Sequence, residues 1–298
     1  MKCISCNEEK FNLIQYDRHV FELNYKFFVR NFLKKIDFII PDSNFFNYLK
    51  KLSQNVFKGK IAVCKNCGFG EALNKPAKDH LKNYYNKFYW QNFRNQKSGN
   101  LKNISFNKNI RAIQQFNFIK NNCNLNLQKS ILEVGGASCC TSLLLRENSN
   151  QNNDLSCCDS IFWAKYYEQN NIKFIDKYFP FIQNKKYDLI LSSHQLEHVD
   201  DLVSNINGFR SLLNDNGFLF IEVPNTPEIY WKRYIIDTPH LFFFTKKSLI
   251  NIFQRQNFKL IDVVSFGNTY DEILKKKKQD YNVIRDDGAY LKAIFQKC

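Results

Sequence analysis

Two Cys-x-x-Cys pairs carry the first candidate chemistry: Cys3 with Cys6, and Cys64 with Cys67. Two such knuckles supply four thiolates, the donor set of a tetrahedral zinc site. Gly68, directly after the second pair, lets backbone amides turn toward sulfur without a Cβ clash. Four thiolates close the coordination shell, so the expected role is a fold staple and not a reaction centre. The competing readings are ordinary buried thiols or a redox pair, but no thioredoxin-like context surrounds either knuckle. Residues 7–63 separate the knuckles, a longer gap than a zinc ribbon uses. Within it, residues 18–57 read as an insertion of two amphipathic helices broken at Pro41-Asp42-Ser43.

Carboxylates and imidazoles form the second group. Glu133 lies in the apolar run Ile131-Leu132-Glu133-Val134, which leads into Gly135-Gly136-Ala137-Ser138. Small residues there let the backbone approach a ligand closely. An acid at that place repels a pyrophosphate and suits a cationic or hydroxyl-bearing ligand. The run is not G-x-G-x-x-G, so a nicotinamide dinucleotide is disfavoured. Asp159 follows the next strand-like run, where a carboxylate can take both hydroxyls of a ribose. Of five histidines, His194, His198 and His240 fall at or just beyond expected strand ends. They are the candidate catalytic or substrate-contacting groups, with Glu197 and Glu222 behind them, because imidazole titrates near neutrality. The competing role for His198 is to order its loop together with Glu197. Residues 194–198 match the inverted zinc-protease pattern H-x-x-E-H. That pattern needs a helix to turn both imidazoles onto one metal, and here it follows a strand.

The elements that must position these groups alternate from residue 130 onward. Strands are expected at 131–134, 154–158, 172–175, 187–192, 218–223, 258–266 and 289–295. Helices are expected at 141–147, 161–170, 199–213 and 245–256. Such alternation gives a parallel sheet covered on both faces, with ligands at the carboxyl ends of its strands. Residues 78–94 and 104–122 read as aromatic-rich helices, either core packing or a lid over a pocket. The expected division is a zinc module at 1–75, a helical connector at 76–125 and the main domain at 126–298. Cys139-Cys140 and Cys157-Cys158 read as buried apolar fillers. The stretch Tyr230-Trp231-Lys232-Arg233-Tyr234 reads equally as a base- or phosphate-contacting patch and as a loop folding its apolar parts inward.

Three blocks together resemble the class I S-adenosylmethionine (SAM) dependent methyltransferases, over residues from about 130 to 298. Residues 131–138 are similar to that family's E-x-G-x-G-x-G loop. Residues 187–199, from Tyr187-Asp188-Leu189-Ile190 to Leu196-Glu197-His198-Val199, are similar to its fourth strand and turn. Residues 212–225, through Gly217 and on to Glu222-Val223-Pro224-Asn225, are similar to its fifth strand. The resemblance implies an α/β fold with a seven-stranded Rossmann-like sheet, SAM as cofactor and methyl transfer as the activity. It implies cofactor contacts from Glu133, Gly135, Gly136, Ala137, Asp159, Asp176, Ser193 and His194. Ala137 and Cys139 stand where the family pattern has glycine. Four-cysteine modules ahead of this fold resemble sugar C-methyltransferases and, more distantly, zinc-bearing ribosomal RNA guanine methyltransferases. The expected acceptor is therefore a small molecule, a nucleotide-linked sugar or surface-glycan precursor. The alternatives are an RNA methyltransferase and a non-catalytic binding protein of the same fold.

Composition bounds all of this. The 298 residues are 44% hydrophobic and 24% charged, which excludes a disordered chain, a collagen and a simple coiled coil. A net charge of +15 favours anionic partners, whether nucleic acid, anionic lipid or phosphorylated small molecules. The excess is spread along the chain, and only Lys275 to Lys278 forms a dense run. No apolar leader opens the sequence, and no apolar run reaches the roughly 18 residues of a membrane span. A reducing cytoplasm, with thiols free or on metal, is the expected setting.

Overall fold

The computed structural model describes residues 1–15, 60–73, 75–83, 85, 105–149, 153–232 and 240–298. The expected 18–57 insertion lies outside the described residues, as does most of the expected 78–94 helix, of which α1 (Lys78–Asn83) is the described start.

The N-terminal strands are β1 (Phe11–Gln15), β2 (Lys60–Cys64) and β3 (Gly70–Ala72). The expected helix at 104–122 resolves into a short 3-10 turn and then α2 (Ile110–Asn122). Asn109 caps α2 by accepting the Ala112 N–H, as a good N-cap does. Ala112, Gln115, Phe116, Phe118 and Ile119 form its buried face. Each large apolar side chain there contributes roughly 1.5–3 kcal/mol by leaving water.

The alternating half follows the expected order. It runs β4 (Ser130–Val134), α3 (Cys140–Glu147), β5 (Asp154–Cys158), α4 (Ala164–Gln169), β6 (Lys173–Phe174), β7 (Tyr187–Ser193), α5 (Leu202–Leu212) and β8 (Leu213–Pro224). Then come α6 (Glu228–Lys232), β9 (Phe242–Phe243), α7 (Lys246–Arg255), β10 (Phe258–Phe266), α8 (Tyr270–Leu274) and β11 (Tyr290–Lys297). The strand expected at 172–175 shrinks to two residues, and the fifth strand begins earlier, running through the Asn214–Gly217 turn signal.

Seven strands form one sheet in the order β10-β11-β8-β7-β4-β5-β6. Strands β8, β7, β4, β5 and β6 are parallel, while β11 runs antiparallel to both neighbours. The central strands read as continuous apolar runs, Leu132 and Val134 in β4 and Leu189 to Leu191 in β7, because helices cover both faces. This is the expected seven-stranded Rossmann-like methyltransferase sheet.

A second sheet has the order β1-β2-β3-β9, all antiparallel. Its last strand comes from far along the chain, so the knuckle segment and the main domain share a sheet. Thr245, the N-cap of α7, donates its hydroxyl to the Cys67 carbonyl at 2.6 Å. Ser5 donates to the Ser248 carbonyl at 3.3 Å. A Cβ at Gly68, whose φ is +71°, would meet Thr245 Cγ2 at 2.7 Å, so only glycine fits this junction. Among the described residues, no helix is long and apolar enough to cross a membrane.

Candidate active site

The carboxyl ends of β4, β5, β6 and β7 surround a cavity of about 410 Å³. Among its lining residues are Glu133 to Ser138, Asp159, Asp176, Ser193, His194 and His198. All but one of the cofactor-contact and histidine candidates thus meet at one place. His240 is the exception: it is not among the lining residues, and its ring lies 4.8 Å from that of His198.

The loop after β4 is tightly wound. Gly135, Ala137 and Cys139 have φ of 71°, 46° and 48°. A Cβ at Gly136 would meet Glu133 Cγ at 2.6 Å, so the backbone there leaves no room for a side chain. Ala137 adopts a left-handed conformation that costs a non-glycine residue roughly 1–2 kcal/mol. Two bonds hold it: its N–H donates to Asp159 Oδ2 at 2.7 Å, and its carbonyl accepts from the Tyr167 hydroxyl at 2.7 Å. Ala137→Gly is therefore expected to be neutral or stabilising by up to about 1 kcal/mol, read as a urea midpoint. A clear loss of stability would contradict the left-handed geometry.

The two acids differ in position. Asp159 is half-buried, and its second oxygen accepts the Ser160 N–H. Burial pushes its carboxyl up to about 6, against the lowering effect of those two N–H groups. Glu133 is 5% exposed and accepts the Ser142 hydroxyl. Burial pushes it up to about 7, with Ser142 working in the opposite direction. Asp176 is exposed at the rim, beside Lys177.

Beside that loop, the cavity is lined where β7 ends. Ser193 Oγ accepts from Gln115 Nε2 at 3.0 Å, and Gln115 Oε1 accepts the Thr141 hydroxyl, so α2 ties β7 to α3. His194 has φ 52°, a strained conformation for a non-glycine residue and one that recurs at functional sites. Its N–H donates to the Glu222 carbonyl at 2.8 Å, which fixes the ring's starting point. Its Nδ1 lies 2.9 Å from Glu197 Oε1 and its Nε2 lies 3.8 Å from Glu222 Oε1. Glu222 is fully buried, and Arg111 Nε donates to it at 2.6 Å. The Arg111 guanidinium also lies 5.6 Å from the Tyr290 ring centroid. His198 packs edge-on against Tyr85 at 5.8 Å and His240 at 4.8 Å. Burial and the neighbouring imidazoles of His198 and His194 drive His240 well below the ordinary histidine range.

Sequence reasoning missed Arg111, Gln115 and Tyr167. Arg111 and Gln115 sit in a helix legible only as apolar packing, and their partners lie far away in the chain. The H-x-x-E-H match builds no helical metal pair. His194 directly follows β7 and Leu196–His198 is a short 3-10 turn, as the strand context predicts. Of the 230–234 stretch, Tyr230 is fully buried and Trp231 packs against Phe243 at 5.1 Å, so its first two aromatics fold inward. Arg233 and Tyr234 lie outside the described residues. Cys139, Cys140, Cys157 and Cys158 are buried, as fillers would be.

Four thiols converge elsewhere. The Sγ atoms of Cys3 and Cys67 are 3.6 Å apart and those of Cys6 and Cys64 are 3.5 Å apart. All four lie within 4.8 Å of one another.

A family model described as "Methyltransferase domain" matches residues 101–263. A search among curated proteins finds no match. Among solved structures, the chain is similar to the 1,6-didemethyltoxoflavin-N1-methyltransferase of Burkholderia thailandensis, at 13% identity and a TM-score of 0.49, over 80% of this chain and 95% of that one. It is similar to a SAM-dependent methyltransferase of Thermotoga maritima, at 14% identity and a TM-score of 0.47, over 63% and 89% of the two chains. It is also similar to the N-methyltransferase NodS of Bradyrhizobium japonicum, at 15% identity and a TM-score of 0.43, over 66% and 90%. None of the three bears on the acceptor. The domain match spans more than half of the 298 residues, so the chain belongs to the methyltransferase-domain family and is a SAM-dependent methyltransferase.

Proposed function

We propose that this enzyme methylates a small molecule with an anionic part, a nucleotide-linked sugar or surface-glycan precursor, and that it carries one structural zinc. The observation that carries the reading is the cavity, which gathers the glycine loop, the acids and two of the three histidines at the ends of adjoining strands. SAM fits the loop and the acids. Gly135 and Gly136 give a bare backbone where a Cβ would collide. Asp159 keeps one lone pair on each oxygen for the two ribose hydroxyls. Glu133 orders the loop through Ser142, and Ala137, Asp176, Ser193 and His194 complete the proposed contacts. When bound, SAM supplies an electrophilic methyl on a sulfonium.

The chain's own residues bind and align the acceptor. His194, His198 and His240 are the proposed acceptor-side groups. Alignment of a nucleophile at near-attack distance is worth roughly 7–11 kcal/mol in favourable cases. An imidazole that takes the acceptor's proton adds about 10²–10⁴-fold. Lys82 and Lys177 bring positive charge to the rim, as a phosphate needs, and Tyr85 and Tyr178 bring aromatic faces for a base or sugar.

Zinc fits the four thiols. A tetrahedron with bonds of about 2.3 Å puts sulfurs about 3.8 Å apart, close to the two separations above. Such a site is closed and structural, and a reducing cytoplasm suits it. The division into a zinc module (1–75), a connector (76–125) and a methyltransferase domain (126–298) belongs to the same proposal, with β9 reaching across the first boundary.

The test is acceptor profiling with SAM. Methylation of a nucleotide-linked sugar or glycan precursor, little affected by salt, is the expected result. RNA methylation, with binding that weakens steeply as salt is added, would overturn the small-molecule reading.

A further inference from the structure

Besides the thiols, one other group of metal-ligating side chains converges among the described residues. One ligand atom each from Glu197, His198 and His240 lies within 4.8 Å of the others. The residues come from two segments that the backbone locks together. The Leu241 N–H donates to the Glu197 carbonyl at 2.6 Å, and the Leu241 carbonyl accepts the Ala72 N–H at 2.9 Å. His240 is thereby held beside the 3-10 turn that carries Glu197 and His198.

The carboxylate gives the second indication. Glu197 is fully buried. One oxygen faces His194, while Oε2 accepts no hydrogen bond from the described residues. A buried carboxylate is costly unless its charge and lone pairs are matched. Arg111, the guanidinium among the described residues that acts on it, is already engaged by Glu222. Two imidazoles and a carboxylate are the donors of zinc, iron(II) and manganese(II) sites that keep open positions. Ligands on one such ion would stand about 3.3 Å apart, so small rotamer changes close the set. Unlike the four thiolates, three ligands leave room for water or substrate. His198 also lines the cavity, which puts the cluster at its wall.

We propose that Glu197, His198 and His240 form a second metal site, for a divalent transition-metal ion whose open position takes an oxygen of the methyl acceptor. This rests on the small-molecule reading above and narrows it to acceptors with a hydroxyl or enol beside the reacting atom. The ion stabilises the oxygen as its proton passes to His194, the imidazole in the same cavity that is not a ligand, much as zinc does for its bound water. The H-x-x-E-H pattern contributes only its last two residues, and His240 takes the place of the first histidine.

Cobalt(II) titration of metal-free protein, followed by absorbance, separates the two sites. Thiolate-to-cobalt charge transfer reports only the cysteines. The expected result is a further equivalent of Co²⁺ that binds without that band. Glu197→Gln and His240→Asn should each weaken this equivalent by more than about 100-fold while leaving the thiolate band intact. That intact band shows that the variants remain folded. Uptake that ends with the thiolate signal, or a further equivalent indifferent to both substitutions, would overturn the proposal. S-adenosylhomocysteine titration of the same samples reads the proposed cofactor contacts separately. If it binds and the further cobalt does not, only the metal site fails.

Discussion

Asp159→Ala is expected to weaken S-adenosylhomocysteine binding at least about 100-fold by calorimetry. Two charge-assisted hydrogen bonds of about 1.5–3 kcal/mol each account for a loss of that size. The substitution also frees the N–H groups of Ala137 and Ser160, so the left-handed loop loses a restraint. Asp159→Asn keeps the shape but turns an amide N–H toward one of those donors, and should be nearly as damaging. Unchanged affinity in both variants would remove the ribose role.

The same carboxyl sets a pH dependence with two opposite signs. Asp159 and Glu133 sit near 6 and 7 in the folded chain, above their ordinary values. The folded state therefore binds more protons than the unfolded one between about pH 4 and 7, and these groups make the free protein more stable as pH falls through that window. With Asp159 on the ribose as proposed, cofactor binding needs it ionised and should weaken below about pH 6. A melting point and an affinity that move together across the window would contradict this assignment.

Zinc removal is the second large effect. The metal would close a sheet too small to hold itself, and structural zinc sites contribute about 10–16 kcal/mol of apparent binding energy. Cys64→Ser is expected to lower the melting temperature by more than about 10 °C and to leave the protein one equivalent of zinc short. The damage should be uneven. β9 loses its partner β3, and with it goes the backbone frame around Leu241 that holds His240 beside Glu197. The proposed cofactor contacts rest mainly on β4 and β5, which lie in the other sheet. S-adenosylhomocysteine affinity should therefore fall less than about tenfold while methyl transfer is lost. Zinc-free protein with unchanged melting and turnover would refute the staple.

Much of the main sheet was legible in the sequence because parallel strands buried on both faces announce themselves as short apolar runs between amphipathic helices. β10 falls where expected, and the residues expected at the strand ends line one cavity. Residues that meet across the fold were not legible. Arg111 finds Glu222 through a helix whose pattern speaks only of an apolar side, Ile110, Ile113, Phe116, Phe118 and Ile119, of which Ile110 is exposed. β9 is two residues long, too short to carry a period of its own, yet it joins the knuckle sheet to the segment bearing His240. The strain at Ala137 and Cys139 was visible only as missing glycines. That alanine can occupy such a turn follows from the Asp159 and Tyr167 bonds, which no local pattern encodes. The knuckle spacing gave the four thiols but not their seat on Thr245 and Ser248.

The most direct measurement is a crystal structure with S-adenosylhomocysteine bound. Density is expected over Gly135 and Gly136, with the ribose on Asp159 and the sulfur toward His194. Density for the ligand elsewhere, or that crevice filled by side chains of the protein, would contradict it.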